Sequence, residues 1–177
     1  MIYIVFLRLF WYNLMYQQSE ERFLKLKIVL QRVLGASVEV DNNVVGKINK
    51  GYVIFLGVSN EDTEQDVERL AAKIINLRIF SDENDKINLS LKDVNGELLI
   101  ISQFTLYGDT KKGNRPSFIM AEEPDKANNM YEEFVKRVKE VSGREVQKGV
   151  FGADMKVELL NDGPVTILVE SPFSKED

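Results

Sequence analysis

From Leu26 onward, apolar and polar positions mostly alternate with a period of two, the repeat of a strand whose side chains point to opposite faces in turn. Ile28, Leu30 and Arg32 share one face of the first such run, and Val29, Gln31 and Val33 share the other. Val38 and Val40 lead into Asp41-Asn42-Asn43, a turn signal, after which Val44, Val45 and Ile48 supply the return strand of a hairpin. Tyr52 to Val58 is instead a continuous apolar run, bounded by Gly51 and Gly57, and predicts a central strand. The period then changes. Val67, Leu70, Ala71, Ile74 and Ile75 recur at helical spacing behind a capping pair, Thr63 and Asp66. Ile87, Leu89 and Leu91 predict a short strand, and Glu97 to Leu106 a long one. A second helix opens after Pro124, carries Ala127, Met130, Tyr131, Phe134, Val138 and Val141 on one face, and stops at Ser142-Gly143. Val146 to Phe151, Met155 to Leu160 and Val165 to Glu170 read as three further strands. The order β-β-β-α-β-β-α-β-β-β predicts an α+β fold: mostly antiparallel sheets curled into a barrel-like core with two packed helices.

Residues 1–25 do not share this pattern. Met1 to Tyr16 is almost wholly apolar and aromatic, interrupted by Arg8 and Asn13, and Gln17 to Arg22 is polar. The stretch is too short and too charged for a membrane span, which takes about 20 apolar residues, and it lacks the basic start and small-residue cleavage site of a secretory signal. The expectation is an N-terminal extension outside the working fold, with a single domain at 26–177 and a cytoplasmic location. Leu26 is then the residue read from an alternative start codon. The competing reading is an appended segment for a membrane surface or a partner.

Composition removes more chemistry than it suggests. With 44% hydrophobic and 29% charged residues the 177-residue chain is of the globular type. It holds no histidine and no cysteine, which excludes thiol nucleophiles, disulfides, His/Cys zinc sites and every Ser-His-Asp or Cys-His arrangement. No metal or cofactor is expected. The net charge of −5 argues against broad adhesion to nucleic acid, which is driven by Lys and Arg neutralising phosphates, so any RNA contact is local.

The segment Ser102 to Phe118 carries the best candidate chemistry, because a core strand there runs straight into a polar, basic loop. Ser102, Gln103 and Thr105 at the end of a rigid strand can hold fixed donors and acceptors toward a ligand, while Lys111, Lys112 and Arg115 can meet an anion. Thr105 as a nucleophile needs a base, and without histidine only a lysine, a carboxylate or the substrate itself serves. Backbone N–H groups around Phe104 and Thr105 are the stronger catalytic candidates, as donors to a developing oxyanion. Arg32 reads either as a solvent-facing edge residue or as a guanidinium that clamps carbonyls. Phe151-Gly152-Ala153-Asp154-Met155 reads as a bulge entering a strand, or as a surface on which a base settles against Phe151. Asn161-Asp162-Gly163-Pro164 reads as a turn; a cis Gly-Pro bond there would aim the neighbouring carbonyls in an unusual direction.

Taken together, Gln31-Arg32-Val33, Ser102-Gln103-Phe104-Thr105-Leu106, Thr110 to Pro116, Phe151 to Met155 and Asn161-Asp162-Gly163-Pro164-Val165-Thr166 resemble the D-aminoacyl-tRNA deacylase family, over about Leu26 to Ser171. The resemblance implies a homodimeric hydrolase that cleaves the ester between a D-amino acid and the 3′-terminal ribose of tRNA, and that also removes glycine from mischarged tRNA. It implies that Ser102, Gln103, Phe104 and Thr105 surround the scissile ester as catalytic residues. It further implies that a cis Gly163-Pro164, braced by Arg32, reaches into the neighbouring subunit's pocket, holds the substrate amino group and excludes L side chains. Phe151, Gly152 and Met155 would border the terminal adenosine, with Lys111, Lys112 and Arg115 on tRNA phosphates. Water assisted by the ribose 2′-hydroxyl is the favoured attack, and Thr105 as covalent nucleophile the second. Two other functions compete: a non-catalytic nucleic-acid-binding module of the same fold, and the related deacylase that removes L-alanine.

Overall fold

The computed structural model describes residues 26–171. The extension at residues 1–25 lies outside the described residues. Eight strands and two helices follow in the order β1 (Lys27–Val40), β2 (Asn43–Ile48), β3 (Gly51–Gly57), α1 (Glu64–Ile75), β4 (Arg78–Ser81), β5 (Ile87–Ser90), β6 (Glu97–Ser102), α2 (Pro124–Ser142), β7 (Val146–Lys148) and β8 (Lys156–Glu170), with a 3₁₀ helix at Phe104–Tyr107 before α2. The α+β architecture anticipated above is what the chain adopts: a mixed sheet, nearly closed as a barrel, with two helices packed on it.

β1 organises the sheet. One edge pairs antiparallel with β3 over Lys27 to Val33 and with β2 over Ala36 to Val40, and the other edge pairs with β8 along its whole length. The apolar phase of β1 slips along its length, and the slip has a structural cause. In the ladder with β8, Val33 faces Asn161 and Gly35 faces Leu160, so Leu34 is an extra residue in a bulge. Before it, Ile28 and Leu30 point to the helix side; after it, Ala36 and Val38 point into the barrel, because one inserted residue exchanges the two faces. The hairpin to β2 turns at Asp41 (φ 49°) and Asn42 (φ 61°), the two positive φ values of a type I′ turn.

The continuous apolar runs are strands buried on both sides. Tyr52, Ile54 and Leu56 of β3 and Leu98 and Ile100 of β6 face the helices, while Val53, Leu99 and Ile101 face the barrel interior. β3 and β6 pair in parallel, as do β6 and β7, so the sheet is less uniformly antiparallel than the alternation suggests. Parallel pairing requires a crossover, and α1 with the small β4–β5 sheet supplies it. Gly51 sits where β3 meets β6; a Cβ there would lie 1.9 Å from the Glu97 carbonyl oxygen.

Both helices form where their signals stand. Thr63 and Asp66 make a complete capping box at the start of α1, with Val67, Leu70, Ala71 and Ile74 buried. α2 has Pro124 in its first turn, ends on Gly143 at φ 63°, and buries Ala127, Tyr131, Phe134 and Val138. Val141, expected on the same face, lies past the sheet and is exposed. Several boundaries differ from expectation, and β7 ends at Lys148 rather than Phe151. β4 is an additional strand too short to show a period, the two C-terminal strands are one strand with an interior bulge, and β6 stops at Ser102 rather than Leu106.

A buried carboxyl ties the start of the domain to this frame. Asp62 accepts hydrogen bonds from the backbone N–H of Leu26 (2.6 Å) and of Ser59 (2.6 Å), and Leu26 is itself fully buried. Burial pushes the Asp62 carboxyl up to about 6 despite those two amides. Its folded-state pKa lies above the unfolded value, so its contribution to stability is full below about pH 4 and is lost as pH rises through about 6. The stability of the native chain relative to Asp62→Asn, measured by denaturant titration, is therefore expected to fall by on the order of 2 kcal/mol between pH 4 and pH 7. A pH-independent difference would show that Asp62 titrates as an ordinary carboxyl.

Candidate active site

A pocket of about 570 Å³ opens where β3 and β6 end, walled by the start of α2 and by the turn between β7 and β8. This is the crevice beyond the carboxyl ends of parallel strands, where ligands of such sheets commonly bind. A larger hollow of about 770 Å³ lies between α1 and α2, but Arg137 there is already paired with Glu68 and Glu140, so it is a solvated charged groove.

The pocket's floor is set by how β6 ends. The Gln103 N–H donates to the Leu56 carbonyl (2.7 Å), the last rung beside β3. Beyond it the chain turns into the 3₁₀ helix, because the Tyr107 hydroxyl turns back to the Gly57 carbonyl (3.4 Å). Gly57 admits that ring: a Cβ there would lie 2.9 Å from Tyr107 Cε2 and 3.1 Å from the Gln103 carbonyl oxygen. The N–H groups of Phe104 and Thr105, first in the turn, have no hydrogen-bond partner among the described residues, as expected at a helix start. They are two adjacent donors beside an apolar cavity.

Ser102, Gln103 and Phe104 line the pocket together with Phe151, Gly152 and Met155. Two segments that lie almost 50 residues apart in sequence thus face one space. Gly149 lets Met155 in, since a Cβ at that position would lie 2.5 Å from the Met155 sulfur. Gly152 turns the chain at φ 72°, in the left-handed region that favours glycine. Thr105 does not line this pocket; it is exposed, and its hydroxyl accepts a short hydrogen bond from the Gln103 side-chain amide.

Sequence reasoning missed part of the wall. Tyr131 was read as core, and it is buried, but its ring also lines the pocket beside Phe151, with centroids 6.0 Å apart. Its hydroxyl donates to the Ile100 carbonyl (2.8 Å), and burial pushes the phenol well above its ordinary value, so it stays protonated and pins the end of β6. Glu122 also lines the space. Burial opposes its ionisation, but Lys126 one turn on and the Glu123 N–H outweigh that and hold the carboxyl below its usual range. An acid paired with a lysine four residues on gives no local sequence signal of a wall residue. Phe118 was in view only as the end of the basic loop, and it stands edge-on to Phe104 with centroids 5.1 Å apart.

Arg32, Gly163 and Pro164 lie elsewhere on the chain and do not line this pocket. Between Gln31, which faces Thr166, and Val33, which faces Asn161, β1 contributes Arg32 alone while β8 contributes the four residues Asp162 to Val165. The surplus bulges out, carrying an exposed Gly163 at φ 122° and an exposed Pro164, joined by a cis peptide bond. Arg32 is buried rather than solvent-facing. It donates to the Asp162 carbonyl (3.1 Å) and the Ile79 carbonyl (2.7 Å) and pairs with the Asp162 carboxylate (3.0 Å). Asn161 closes the bulge from inside by donating to the Arg32 and Val165 carbonyls (3.3 and 3.0 Å). Lys111, Lys112 and Arg115 are exposed on a loop closed by the bridge between Asp109 and Ser117.

A nearly closed α+β barrel with a pocket at its strand ends, polar strand-end groups and two free backbone donors has the parts of a hydrolase site. A family model described as D-Tyr-tRNA(Tyr) deacylase matches residues 29–170. Relatives named D-aminoacyl-tRNA deacylase include one from Clostridioides difficile, 57% identical over 84% of this chain and 99% of the relative, and one from Flavobacterium psychrophilum, 53% identical over 82% and 97%. Among solved structures, one titled c-Myc DNA Unwinding Element Binding Protein is 41% identical with a TM-score of 0.77, covering 83% of this chain and 99% of that one. Another, titled a "probable eukaryotic D-amino acid tRNA deacylase", shares the fold at 18% identity and a TM-score of 0.73, over 82% and 99%. The chain belongs to the D-aminoacyl-tRNA deacylase family.

The fork geometry around Arg32 is testable on its own. Lysine keeps the charge but cannot reach the Asp162 carbonyl, the Asp162 carboxylate and the Ile79 carbonyl from one planar group. Arg32→Lys is expected to lower unfolding free energy by about 1–3 kcal/mol in denaturant titration. A change under about 0.5 kcal/mol would show that the buried guanidinium is not what fastens the bulge.

Proposed function

We infer that this chain hydrolyses the ester joining a D-amino acid to the 3′-terminal ribose of tRNA, releasing the free amino acid and the tRNA. The observation that carries the reading is the pocket itself. In a member of this family, Ser102, Gln103 and Phe104 meet Phe151, Gly152 and Met155 around one apolar space. Glycine mischarged on tRNA, having no side chain to reject, belongs to the same substrate set.

The chemistry has to run without histidine or cysteine. Water attacks the ester carbonyl carbon, the ribose 2′-hydroxyl helps remove its proton, and the bond to the 3′ oxygen breaks as that oxygen takes a proton. The N–H groups of Phe104 and Thr105 stabilise the oxyanion formed between these events, a contribution worth about 10²–10³ in rate per donor in comparable sites. Thr105 is better suited to holding the Gln103 side chain than to attacking, since its hydroxyl is engaged by that amide and has no base beside it.

Selection of D over L needs a wall that this chain's own pocket does not have. Gly163 and Pro164, exposed on a braced bulge away from that pocket, suit insertion into the pocket of a second copy. There their carbonyls hold the amino group, and the main chain rejects a side chain of the wrong hand by sterics. The working form is then a homodimer with two composite sites, and Lys111, Lys112 and Arg115 meet phosphates of the tRNA end.

The name of the 41% identical structure raises the alternative of DNA binding. An extended basic face is what such a role requires, and the net charge of −5 argues against one.

D-tyrosyl-tRNA should be hydrolysed at least about 100-fold faster than L-tyrosyl-tRNA, a discrimination of the size that excluded or unpaired groups produce; equal rates would refute the chirality filter. Thr105→Ala is expected to keep kcat within about tenfold, because a covalent nucleophile would cost orders of magnitude more. A loss beyond about a thousandfold would restore the covalent route.

A further inference from the structure

The rim of the pocket carries apolar surface that folding leaves unused. Phe104 is 57% exposed, Phe118 37% and Ile119 82%. Their positions are nonetheless fixed. The Asp109 and Ser117 backbones exchange two hydrogen bonds (2.8 and 2.9 Å), the Ala121 N–H donates to the Phe118 carbonyl (3.0 Å), and the Asn60 N–H donates to the Met120 carbonyl (3.2 Å). The Phe118 ring packs across Gly108, where a Cβ would lie 3.2 Å from it, and stands edge-on to Phe104. An aromatic pair held open to solvent, with an exposed isoleucine next in the chain, is a surface on which a flat group can lie.

The loop beside it is basic, while Glu122 and Glu123 line the pocket. Lys111, Lys112 and Arg115 occupy the loop that Asp109 and Ser117 close, and they make no ion pair among the described residues. The single carboxylate within that loop's base, Asp109, is turned to the Lys111 backbone N–H (2.9 Å). A rigid apolar shelf, three unpaired cations and the mouth of an ester pocket therefore adjoin on a chain that is otherwise acidic.

We propose that Phe104, Phe118 and Ile119 form a stacking shelf for the base of the nucleotide preceding the terminal adenosine, with the loop cations holding its phosphates. The proposal rests on the deacylase reading above. Single-stranded RNA offers unstacked bases that settle on aromatic and apolar side chains, and its backbone follows positive charge. With the terminal adenosine held in the pocket, this rim offers the next nucleotide an apolar surface at the pocket's edge. The shelf is tolerant of base identity, because it offers a face and no hydrogen-bonding edge.

The test compares D-tyrosyl-tRNA with D-tyrosyl-adenosine, which present the same ester with and without the preceding nucleotides. In Ile119→Ser and Phe118→Leu the ratio of kcat/KM for the long substrate over the short one should fall by about five- to a hundredfold, the range of one base stack, and Ile119→Phe should preserve it. A ratio unchanged in both variants overturns the shelf, and so does a loss shared equally by the two substrates, which would mark a structural role. Native protein that cleaves neither substrate refutes the deacylase reading, and the shelf falls with it; native activity with an unmoved ratio refutes the shelf alone.

Discussion

The structure turns on a mismatch in one ladder. Where β1 offers Arg32, β8 offers Asp162 to Val165, and everything distinctive about the C-terminal strand follows from how that surplus is held. A bulge of this size would ordinarily leave backbone groups without partners, at a cost of about 1–3 kcal/mol for each one buried. Arg32 and Asn161 between them engage the Asp162, Ile79, Val165 and Arg32 carbonyls, so the loop projects as a fixed feature of the sheet. At Gly163 a Cβ would lie 2.8 Å from the Arg32 guanidinium and 2.9 Å from Val165, so the tip is glycine for reasons of space as well as of φ.

The pocket follows from a second constraint, the parallel pairing of β3 with β6 and of β6 with β7. Parallel strands end on the same side, so Leu56, Ser102 and the turn carrying Phe151 and Gly152 emerge together, and the start of α2 closes the space over them. Tyr131 locks this arrangement by joining the core of α2 to the last turns of β6 through the Ile100 carbonyl. The result is an apolar cavity with unspent backbone donors at its edge. Such a site suits a reaction in which the substrate brings its own hydroxyl and the protein supplies position and electrostatics.

Much of this was legible in the sequence, for identifiable reasons. The capping box at Thr63 and Asp66, the turn at Asp41 and Asn42 and the α2 stop at Gly143 are local signals, and each forms where it was read. The motif segments at Ser102 to Phe104 and Phe151 to Met155 do converge on one pocket. What escaped was non-local. The residues alone left Arg32 open between an edge position and a carbonyl clamp, because its carbonyl partners are 47 and 130 positions away. The bulge at Asp162 to Val165 looks in sequence like a break between two strands, since a phase slip and an interruption leave the same pattern. Thr105 looked like a strand residue, because the 3₁₀ turn is imposed by tertiary bonds to Leu56 and Gly57.

We propose that the reacting ester lies between the Phe104 and Thr105 amides of one copy and the Gly163-Pro164 bulge of another. A crystal structure with a non-hydrolysable amide analogue of D-tyrosyl-adenosine tests it most directly. The account predicts the analogue's carbonyl oxygen within about 3.2 Å of those N–H groups, and its amino group against the bulge of a second copy. An analogue bound elsewhere, or a pocket completed without any contribution from a second copy, would contradict it.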